Sequence, residues 1–220
     1  MTLAETERTF VPGMGRDWLL PLYDPLTRLL GLDGVRRAVI GRAELRPGDR
    51  VLDIGCGTGS LAILVRRLHP GVEVVGLDPD ERALARARRK ARRAEVGLQL
   101  DWGFADRLPY PDESYDRVFS SFMLHHLGRD EKEGTLAEVR RVLRPGGRFH
   151  LVDFASPHAA PHARTARALD SYGRLNDNTD GRILELLETA GLAKPAIVGR
   201  KSLLAGRLRI ACYEASVSAR

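Results

Sequence analysis

A loop of alternating glycines near residue 55 is the segment best suited to bind a ligand. It consists of Asp53-Ile54-Gly55-Cys56-Gly57-Thr58-Gly59. Glycine adopts backbone conformations that other residues avoid, and it lets a ligand approach the main chain where a Cβ would block it. The spacing differs from the G-x-G-x-x-G fingerprint of dinucleotide enzymes, and no Gly-Lys-Ser/Thr of a triphosphate loop follows. The acid ahead of the loop would repel a pyrophosphate, and it favours a ligand that carries an ammonium or a sulfonium group.

A second acid, Asp78, follows nineteen residues after Gly59, at the end of the apolar run Val74-Val75-Gly76-Leu77. An acid at the tip of a second strand can accept hydrogen bonds from both hydroxyls of a ribose. Because Pro79 comes next, capping of the following helix is an alternative role, and one residue can serve both.

Two adjacent histidines, His125 and His126, follow the predicted fourth strand. Imidazole titrates near neutrality, so His125 is a candidate base for an acceptor that must lose a proton. Packing, or capping of the next turn, is the alternative role for one of the two. A metal site that includes His158 and His162 lacks any paired ligand spacing, and we predict none.

The elements that must position these residues alternate between strand and helix. We predict strands at residues 51–54, 72–77, 96–103, 116–121 and 148–153, with helices at 60–69, 81–93 and 132–142. Parallel neighbours need a crossover, so this order predicts an α/β fold with a doubly wound, mostly parallel sheet. Ligands in such sheets lie beyond the carboxyl ends of the strands. The residues predicted at those ends are Asp53, Asp78, Phe104, Ser121 and Asp153.

The two ends of the chain extend this central pattern. Residues 17–41 show helical spacing that Pro21 and Pro25 interrupt, and a turn at 144–147 precedes the fifth strand. A helix at 182–190 and strands at 196–201 and 207–215 come last. Only residues 204–206 separate these two strands, which predicts an antiparallel hairpin. We therefore divide the chain into a helical lid segment, 1–45, and one compact domain, 46–220.

Composition narrows the cellular setting. The chain has 220 residues, 43% of them hydrophobic, and no apolar run long enough to span a membrane. The start of the chain is acidic and polar, unlike a secretory signal, and the two cysteines form no disulfide framework, so the cytoplasm is expected. Much of the net charge of +6 lies on residues 81–93. That segment predicts a solvated helix face, and we expect no nucleic-acid partner.

Four motifs in order resemble those of the class I S-adenosylmethionine-dependent methyltransferases, in the small-molecule group that includes the ubiquinone/menaquinone methyltransferases. They are the segments 51–59, 76–78, 108–116 and 143–147. The resemblance implies a Rossmann-like sheet of seven strands with the last antiparallel, and S-adenosylmethionine as methyl donor with S-adenosylhomocysteine as product. It implies donor-binding residues at Asp53, Gly55, Cys56, Gly57, Thr58, Gly59, Asp78, Pro79, Phe104, Ala105 and Ser121.

The chain departs from that family at two points. Phe104 stands where the family places an acid or amide for the adenine amine, which leaves stacking and the Ala105 backbone, with Asp101 or Asp106 as substitutes. After the fourth strand it has Ser121-Phe122-Met123-Leu124-His125-His126 in place of the Arg-Asn of the quinone branch, so the acceptor stays open.

The predicted function is methyl transfer to a small-molecule or lipid-like acceptor. Such a transfer needs alignment and exclusion of water more than a catalytic triad. The N-terminal helices with Tyr23, and residues 154–180, are free to supply the acceptor walls. The alternatives are a non-catalytic cofactor-binding or scaffold protein, and an NAD(P)-dependent oxidoreductase that Asp53 and the loop spacing disfavour.

Overall fold

The computed structural model describes residues 27, 29–155, 180–203 and 208–219. Several predictions fall outside these residues. They are the helical pattern before residue 27 with Tyr23, the proposed wall segment 156–179 with His158 and His162, and the turn at 204–206.

Seven strands form one sheet in the order β3-β2-β1-β4-β5-β7-β6. The strands are β1 (Arg50–Ile54), β2 (Glu73–Asp78), β3 (Gln99–Trp102), β4 (Tyr115–Ser121), β5 (Leu143–Ala155), β6 (Ala193–Leu203) and β7 (Leu208–Ser216). The helices are α1 (Leu32–Arg42), α2 (Ser60–Leu68), α3 (Glu81–Arg93), α4 (Arg129–Val142) and α5 (Asp180–Thr189), with a short 3-10 turn at Leu124–His126.

The sheet has the predicted doubly wound topology. β1 pairs in parallel with both β2 and β4, so the strand order reverses between β1 and β4. β7 runs antiparallel to both β5 and β6, which confirms the predicted hairpin and the Rossmann-like seven-stranded fold. Because ligands in such sheets bind at the switch point, the carboxyl ends of β1, β2 and β4 are where a site is expected.

Hydrophobic layers cover both faces of the sheet. Leu52 and Ile54 of β1 belong to the core packed under α4 and α5. Val51 belongs to the opposite core, together with residues of α1 and α2 such as Val39 and Leu61. Since strand side chains alternate, Asp53 lies on the α1 and α2 face with Val51.

Several boundaries differ from the predicted ones, and those of β5, α4 and β3 have a clear physical reason. β5 begins at Leu143, because Leu143 pairs with Tyr115 before a register shift, and the predicted turn at 144–147 lies inside the strand with Gly146 at φ 77°. α4 begins at Arg129, three residues early, where the Glu131 carboxylate accepts the Gly128 N–H at 2.7 Å. β3 has only four residues, since it is an edge strand paired with β2 alone.

The basic helix α3 is amphipathic as predicted. Ala83, Leu84, Ala87 and Ala91 are buried, while cations such as Arg89 are exposed. Within the described ranges, no helix has the length and apolar character needed to cross a membrane.

Candidate functional site

The glycine loop joins β1 to α2 in a conformation that requires glycine. Gly55, Gly57 and Gly59 have φ angles of 64°, 53° and 73°, in the left-handed region. A Cβ on Gly55 would overlap the Met123 side chain, and one on Gly59 would lie 2.9 Å from the Ala87 Cβ. A Cβ on Gly57 would meet no atom within 4 Å. Gly55 and Gly59 are therefore packed against protein, whereas Gly57 borders open space.

Asp78 holds this loop to the end of β2. Its Oδ2 accepts the Gly57 N–H at 2.7 Å, and its Oδ1 accepts the Asp80 N–H at 2.9 Å. Burial raises the pKa of Asp78 to about 6, although these two N–H groups lower it in part.

The predicted alternative role of Asp78, as the cap of α3, is wrong. The cap is Asp80, whose Oδ1 accepts the N–H groups of Arg82 and Ala83 at 2.8 and 3.2 Å. Pro79 separates the two acids, so α3 begins at Glu81, three residues after Asp78, and the Asp78 carboxylate remains at the glycine loop.

The side chain of Asp53 is buried and lacks hydrogen-bond partners in the described part of the chain. It is 1% exposed, and neither carboxylate oxygen has a hydrogen-bond partner among the described residues. Burial raises its pKa to about 7, and the nearby Arg36 guanidinium and Ala62 backbone N–H offset part of the rise. An unpartnered buried carboxylate costs several kcal/mol, of the order found for isolated polar groups. This carboxylate therefore remains able to accept hydrogen bonds from a bound cationic group.

Arg36 of α1 lies on the same face of the sheet, and the sequence analysis missed it. It is 2% exposed, and its Nη1 donates to Asp33 Oδ1 at 2.9 Å. The guanidinium carbon stands 6.0 Å from the ring centroid of Phe122. Its Nε–H has no partner within the described part of the chain. A helical arginine looks like any exposed cation in the sequence, so only the fold shows that this one is buried.

Cys56 and Thr58 of the loop turn toward protein. The Cys56 Sγ would lie 2.9 Å from a Cβ on Gly76, and burial raises the pKa of the Cys56 thiol well above its usual value. The Thr58 hydroxyl accepts a hydrogen bond from the Lys90 ammonium at 3.1 Å. These contacts fix the loop against β2 and α3.

An aromatic pair closes the end of β3. The rings of Trp102 and Phe104 meet edge to face with centroids 5.6 Å apart, and the Trp102 indole N–H donates to the Pro79 carbonyl at 2.9 Å. Phe104 and Pro79 therefore both contact Trp102, the β3 residue that pairs with Asp78 of β2. Ala105 packs against the core under α4.

The two acids considered as substitutes for an adenine contact make other contacts in the fold. Asp101 Oδ2 accepts from the Tyr110 hydroxyl at 3.0 Å and from the Gln99 side chain at 2.8 Å. The Asp106 Cβ would lie 3.2 Å from a Cβ on Gly134, so that residue packs against α4.

The end of β4 carries a strained residue next to a buried hydroxyl. Ser121 Oγ is buried and has no partner among the described residues. Phe122 follows with φ 59°, which is uncommon for a residue with a Cβ, and its N–H donates to the Val152 carbonyl at 2.8 Å. Backbone strain of this kind persists where the surroundings hold it, and it clusters at binding sites.

His125 and Asp153 form a dyad at the carboxyl ends of β4 and β5. The Asp153 carboxylate accepts the His125 backbone N–H at 2.9 Å and faces the ring Nδ1 at 2.6 Å. Asp153 is fully buried, and the His125 side chain is 11% exposed. Since a carboxylate only accepts hydrogen bonds, Nδ1 is the donor in this contact, and in a neutral ring Nε2 keeps its lone pair. That arrangement is the one a general base requires.

Aromatic rings connect this dyad to Arg36. The Phe154 ring lies 5.0 Å from both the His125 and the Phe122 rings. His126 packs against His125 with centroids 4.0 Å apart. The described residues include no group of three or more His, Cys, Asp or Glu side chains arranged to hold a metal ion.

Comparison with known proteins gives this geometry a family context. Residues 51–147 match a family model described as a methyltransferase domain. Demethylmenaquinone methyltransferase of Deinococcus radiodurans is 42% identical over 142 residues, 63% of this chain and 58% of that protein. The 27-O-demethylrifamycin SV methyltransferase of Amycolatopsis mediterranei is 41% identical over 116 residues, 52% of this chain and 42% of that protein. The chain thus spans about half the length of these curated relatives.

A solved structure extends the likeness over more of the chain. Phosphoethanolamine N-methyltransferase 2 of Haemonchus contortus, in complex with S-adenosyl-L-methionine, superposes with a TM-score of 0.71 at 17% identity. The alignment covers 84% of this chain and 52% of that chain. At this identity the comparison shows a shared fold.

Proposed function

We propose that the chain transfers a methyl group from S-adenosylmethionine to a small-molecule or lipid-like acceptor, on the premise that residues 51–147 belong to the methyltransferase domain family. The observation that carries the proposal is the buried, unpartnered Asp53 carboxylate beside the glycine loop. A donor with an ammonium group supplies N–H donors to this carboxylate, whose oxygens have no hydrogen-bond partner among the described residues. A pyrophosphate cofactor such as NAD would bring negative charge to the same place.

The loop residues and the end of β2 would hold the donor. Gly57 leaves space for it against the main chain, and Asp53 binds the ammonium. Each Asp78 oxygen already accepts one N–H, so a second lone pair on each remains for the ribose hydroxyls. Phe104 and Pro79 bound the adenine side, where stacking replaces a polar contact.

His125 is the proposed catalytic base. When bound, the donor supplies a methyl group on a sulfonium, which is already an excellent leaving group. The residues therefore need to align the acceptor, exclude water and remove the acceptor's proton. His125 Nε2 takes that proton as the acceptor atom bonds to the methyl carbon and the sulfur leaves with the electron pair of its carbon bond. Asp153 holds the ring in the tautomer that permits this step, so it is a positioning residue.

Residues 1–45 and 154–180 are proposed to supply the acceptor walls, as the sequence indicated. The names of the relatives include a menaquinone precursor and a rifamycin, so an aromatic acceptor with an ionisable hydroxyl is the first class to test. The aromatic residues Phe122 and Phe154 next to His125 support this class.

Calorimetric titration of the full chain with S-adenosylmethionine, S-adenosylhomocysteine and NAD tests the donor. We expect both adenosyl compounds to bind and NAD not to bind. Binding of NAD alone would overturn the proposal. Donor binding with no labelled product from host extract and an isotopically labelled methyl donor would favour a non-catalytic cofactor-binding protein.

Substitution of the dyad tests the base. His125→Gln should lower kcat by about 100-fold or more, with little change in S-adenosylhomocysteine affinity. Asp153→Asn should lower kcat and change its pH profile, because the ring loses its tautomer control. His126→Gln is the matched control, and equal losses in the two histidine variants would contradict the assignment.

Deletion of residues 1–30 tests the lid. We expect the shortened chain to lose turnover while β1 and the glycine loop remain. Full donor affinity together with full turnover would refute the lid.

A further inference from the structure

The helices on the two faces of the sheet carry very different charge. α1 and α2 pack on one face, with α3 beside α2, and α3 alone has seven cationic residues and one acid. α4 and α5 pack on the other face, where α4 has four cations and four acids and α5 has one cation and three acids. Positive charge is therefore concentrated on one side of the molecule, and neither the donor site nor the dyad uses it.

The cations of α3 form a stripe along the helix. Arg86, Arg89 and Arg93 follow one another at intervals of three and four residues, so they share one side of the helix over a length of about 10 Å. Arg89 and Arg93 are exposed, and Arg86 is partly exposed. The opposite side of α3 is buried against the sheet through residues such as Leu84 and Ala91.

α2 continues this surface. The Lys90 ammonium donates to the Ser60 hydroxyl at 2.8 Å, so the side of α2 that carries Ser60 lies next to α3. Arg67 is exposed and comes seven residues, or two helical turns, after Ser60 on the same side. Arg67, Arg86, Arg89 and Arg93 together are called the basic face.

The basic face lacks acids that would neutralise it. The single acid of α3, Glu81, pairs with Arg88 at 3.2 Å. Among the described residues, none of the four arginines of the basic face forms an ion pair with a carboxylate. Like charges three or four residues apart on a helix repel each other and destabilise it. An anionic surface outside the protein relieves this repulsion.

Two kinds of partner present arrays of phosphate groups, a nucleic acid and a membrane. α3 contains no aromatic side chain to stack on a base and no asparagine or glutamine to read one. Leu68 lies beside Arg67 at the end of α2 and is 43% exposed. Cations next to an exposed leucine fit the boundary between lipid headgroups and acyl chains.

We propose that the basic face docks the protein on a membrane surface that contains anionic phospholipids. The lipid phosphates accept hydrogen bonds from the guanidinium groups, and Leu68 enters the headgroup region. Because α3 starts three residues after β2, one end of the docked helix lies at the edge of the sheet that holds the site. A lipid-like acceptor dissolves in the same bilayer, and this last argument alone rests on the proposed function.

Cosedimentation of the full chain with lipid vesicles tests the docking. The vesicles are pure phosphatidylcholine or an equimolar mixture of phosphatidylcholine and phosphatidylglycerol, at about 0.1 M and about 1 M salt. One triple variant replaces Arg86, Arg89 and Arg93 by glutamine. The matched control replaces Arg129, Arg140 and Arg182 by glutamine, which removes the same charge from exposed positions of α4 and α5.

The wild type should bind the mixed vesicles and not the pure phosphatidylcholine vesicles, and about 1 M salt should abolish most of the binding. Each arginine near an anionic bilayer contributes about fivefold in affinity, so the basic-face variant should bind about 100-fold more weakly. The control variant should change the affinity by about threefold or less, because its charges lie more than a Debye length from the docked surface.

Equal losses in the two triple variants would overturn the inference, since total charge would then explain the binding. Wild-type protein that does not bind the mixed vesicles would overturn it too. Tighter binding to a duplex DNA oligonucleotide than to the vesicles at equal salt would assign the basic face to a nucleic acid instead.

Urea denaturation checks that both triple variants fold. If the basic-face variant does not, Arg89→Gln alone should lower the vesicle affinity about fivefold, and an unchanged affinity would overturn the inference. All of these measurements omit donor and acceptor. Failure of the proposed methyl transfer would therefore leave the vesicle result unaffected, and the two failures can be told apart.

Discussion

Burial raises the pKa of Asp53, the acid at the start of the glycine loop, so this residue titrates at a higher pH than a solvated acid. The pKa of Asp53 is raised to about 7, so near neutrality the carboxyl group holds its proton about half of the time. Binding of an ammonium requires the ionised form, and the proton must leave as the ligand enters. Affinity for a ligand with an ammonium should therefore rise with pH up to about 8 and then level off.

The first prediction concerns how much the affinity for such a ligand changes with pH. Between pH 6 and pH 8 the dissociation constant of S-adenosylhomocysteine should fall about tenfold, and calorimetry in buffers of different ionisation enthalpy should detect proton release. Asp53→Asn should remove the dependence. 5′-Methylthioadenosine is the matched control, because it lacks the ammonium, and an equal slope for this ligand would assign the effect to another group.

Single residues differ in how far the sequence predicted their roles. Asp53, Asp78 and the glycines could be predicted as site residues because each lies at or after a strand end and has a type that suits such a place. The pairing of His125 with Asp153 joins residues 28 apart, and the approach of Arg36 to Asp53 joins a helix to a strand. No spacing in the sequence predicts either pairing, because each depends on how two elements pack.

At the scale of elements, the loop between β1 and α2 serves packing and binding through different glycines. Gly55→Ala should lower the free energy of unfolding by about 2–4 kcal/mol, because it combines a positive φ with overlap on Met123. Gly57→Ala should cost only about 1–2 kcal/mol, since a Cβ there meets open space.

For ligand binding, we expect Gly57→Ala to have a larger effect than Gly55→Ala. Gly57→Ala should weaken S-adenosylhomocysteine binding at least about tenfold, because its Cβ enters the proposed donor space. Adding Met123→Ala to Gly55→Ala should restore part of the lost stability in urea denaturation. No recovery in the double variant would show that overlap with Met123 is not the cause.

Arg141 joins α4 to the loop that follows β3. It donates to the carbonyls of Tyr110 and Leu108 at 2.8 and 3.1 Å, to Asp112 at 2.7 Å and to both oxygens of Glu138. These hydrogen bonds also lower the pKa of Glu138. Arg141→Met leaves carbonyls and a carboxylate without their donor, and it should lower the free energy of unfolding by about 2 kcal/mol.

The control for this third prediction is an exposed pair on the same helix. Arg129→Met removes an ion pair whose side chains are 68% and 46% exposed, and it should change stability by less than about 1 kcal/mol in the same urea denaturation. Equal effects of the two substitutions would mean that the loop does not depend on Arg141.

Element boundaries were harder to predict than element types. The Pro145-Gly146-Gly147 run indicated a turn, yet β5 passes through it because Leu143 pairs with Tyr115. β6 extends beyond both predicted ends, to Ala193 and Leu203, because it pairs along the whole of β7. Local residue types set where a chain can bend, and strand pairing decides whether it remains in the sheet.

Across the whole molecule, burial shifts the pKa values of titratable groups on the sheet in opposite directions. His150 in the middle of β5 is 1% exposed, stacks on Phe119 at 5.1 Å, and has an unpartnered Nε2 among the described residues. Burial lowers its pKa to about 3, and the cations Arg117, Arg148 and Arg42 add to the shift. Asp53 and Asp78 have raised pKa values instead.

The sign of each contribution follows from which state holds the proton. Between pH 6.5 and pH 3 the unfolded chain protonates His150 and the folded chain does not, so the stability that neutral His150 contributes is lost as pH falls. Between pH 4 and pH 6 the folded chain holds protons on both aspartates and the unfolded chain releases them. Their contribution therefore rises as pH falls, and it offsets the loss from His150.

The last prediction separates these two effects by measuring unfolding free energy against pH. His150→Phe and His150→Gln should each remove a loss that reaches about 1.4 kcal/mol per pH unit below pH 6, whatever their stability at pH 8. Asp53→Asn should make the free energy of unfolding fall more steeply as pH falls, because it removes the contribution that offsets the loss from His150. If the histidine variants keep the wild-type slope, His150 is protonated in the folded state. The acid response would then have to come from the surface carboxylates, which would give a slope that salt reduces.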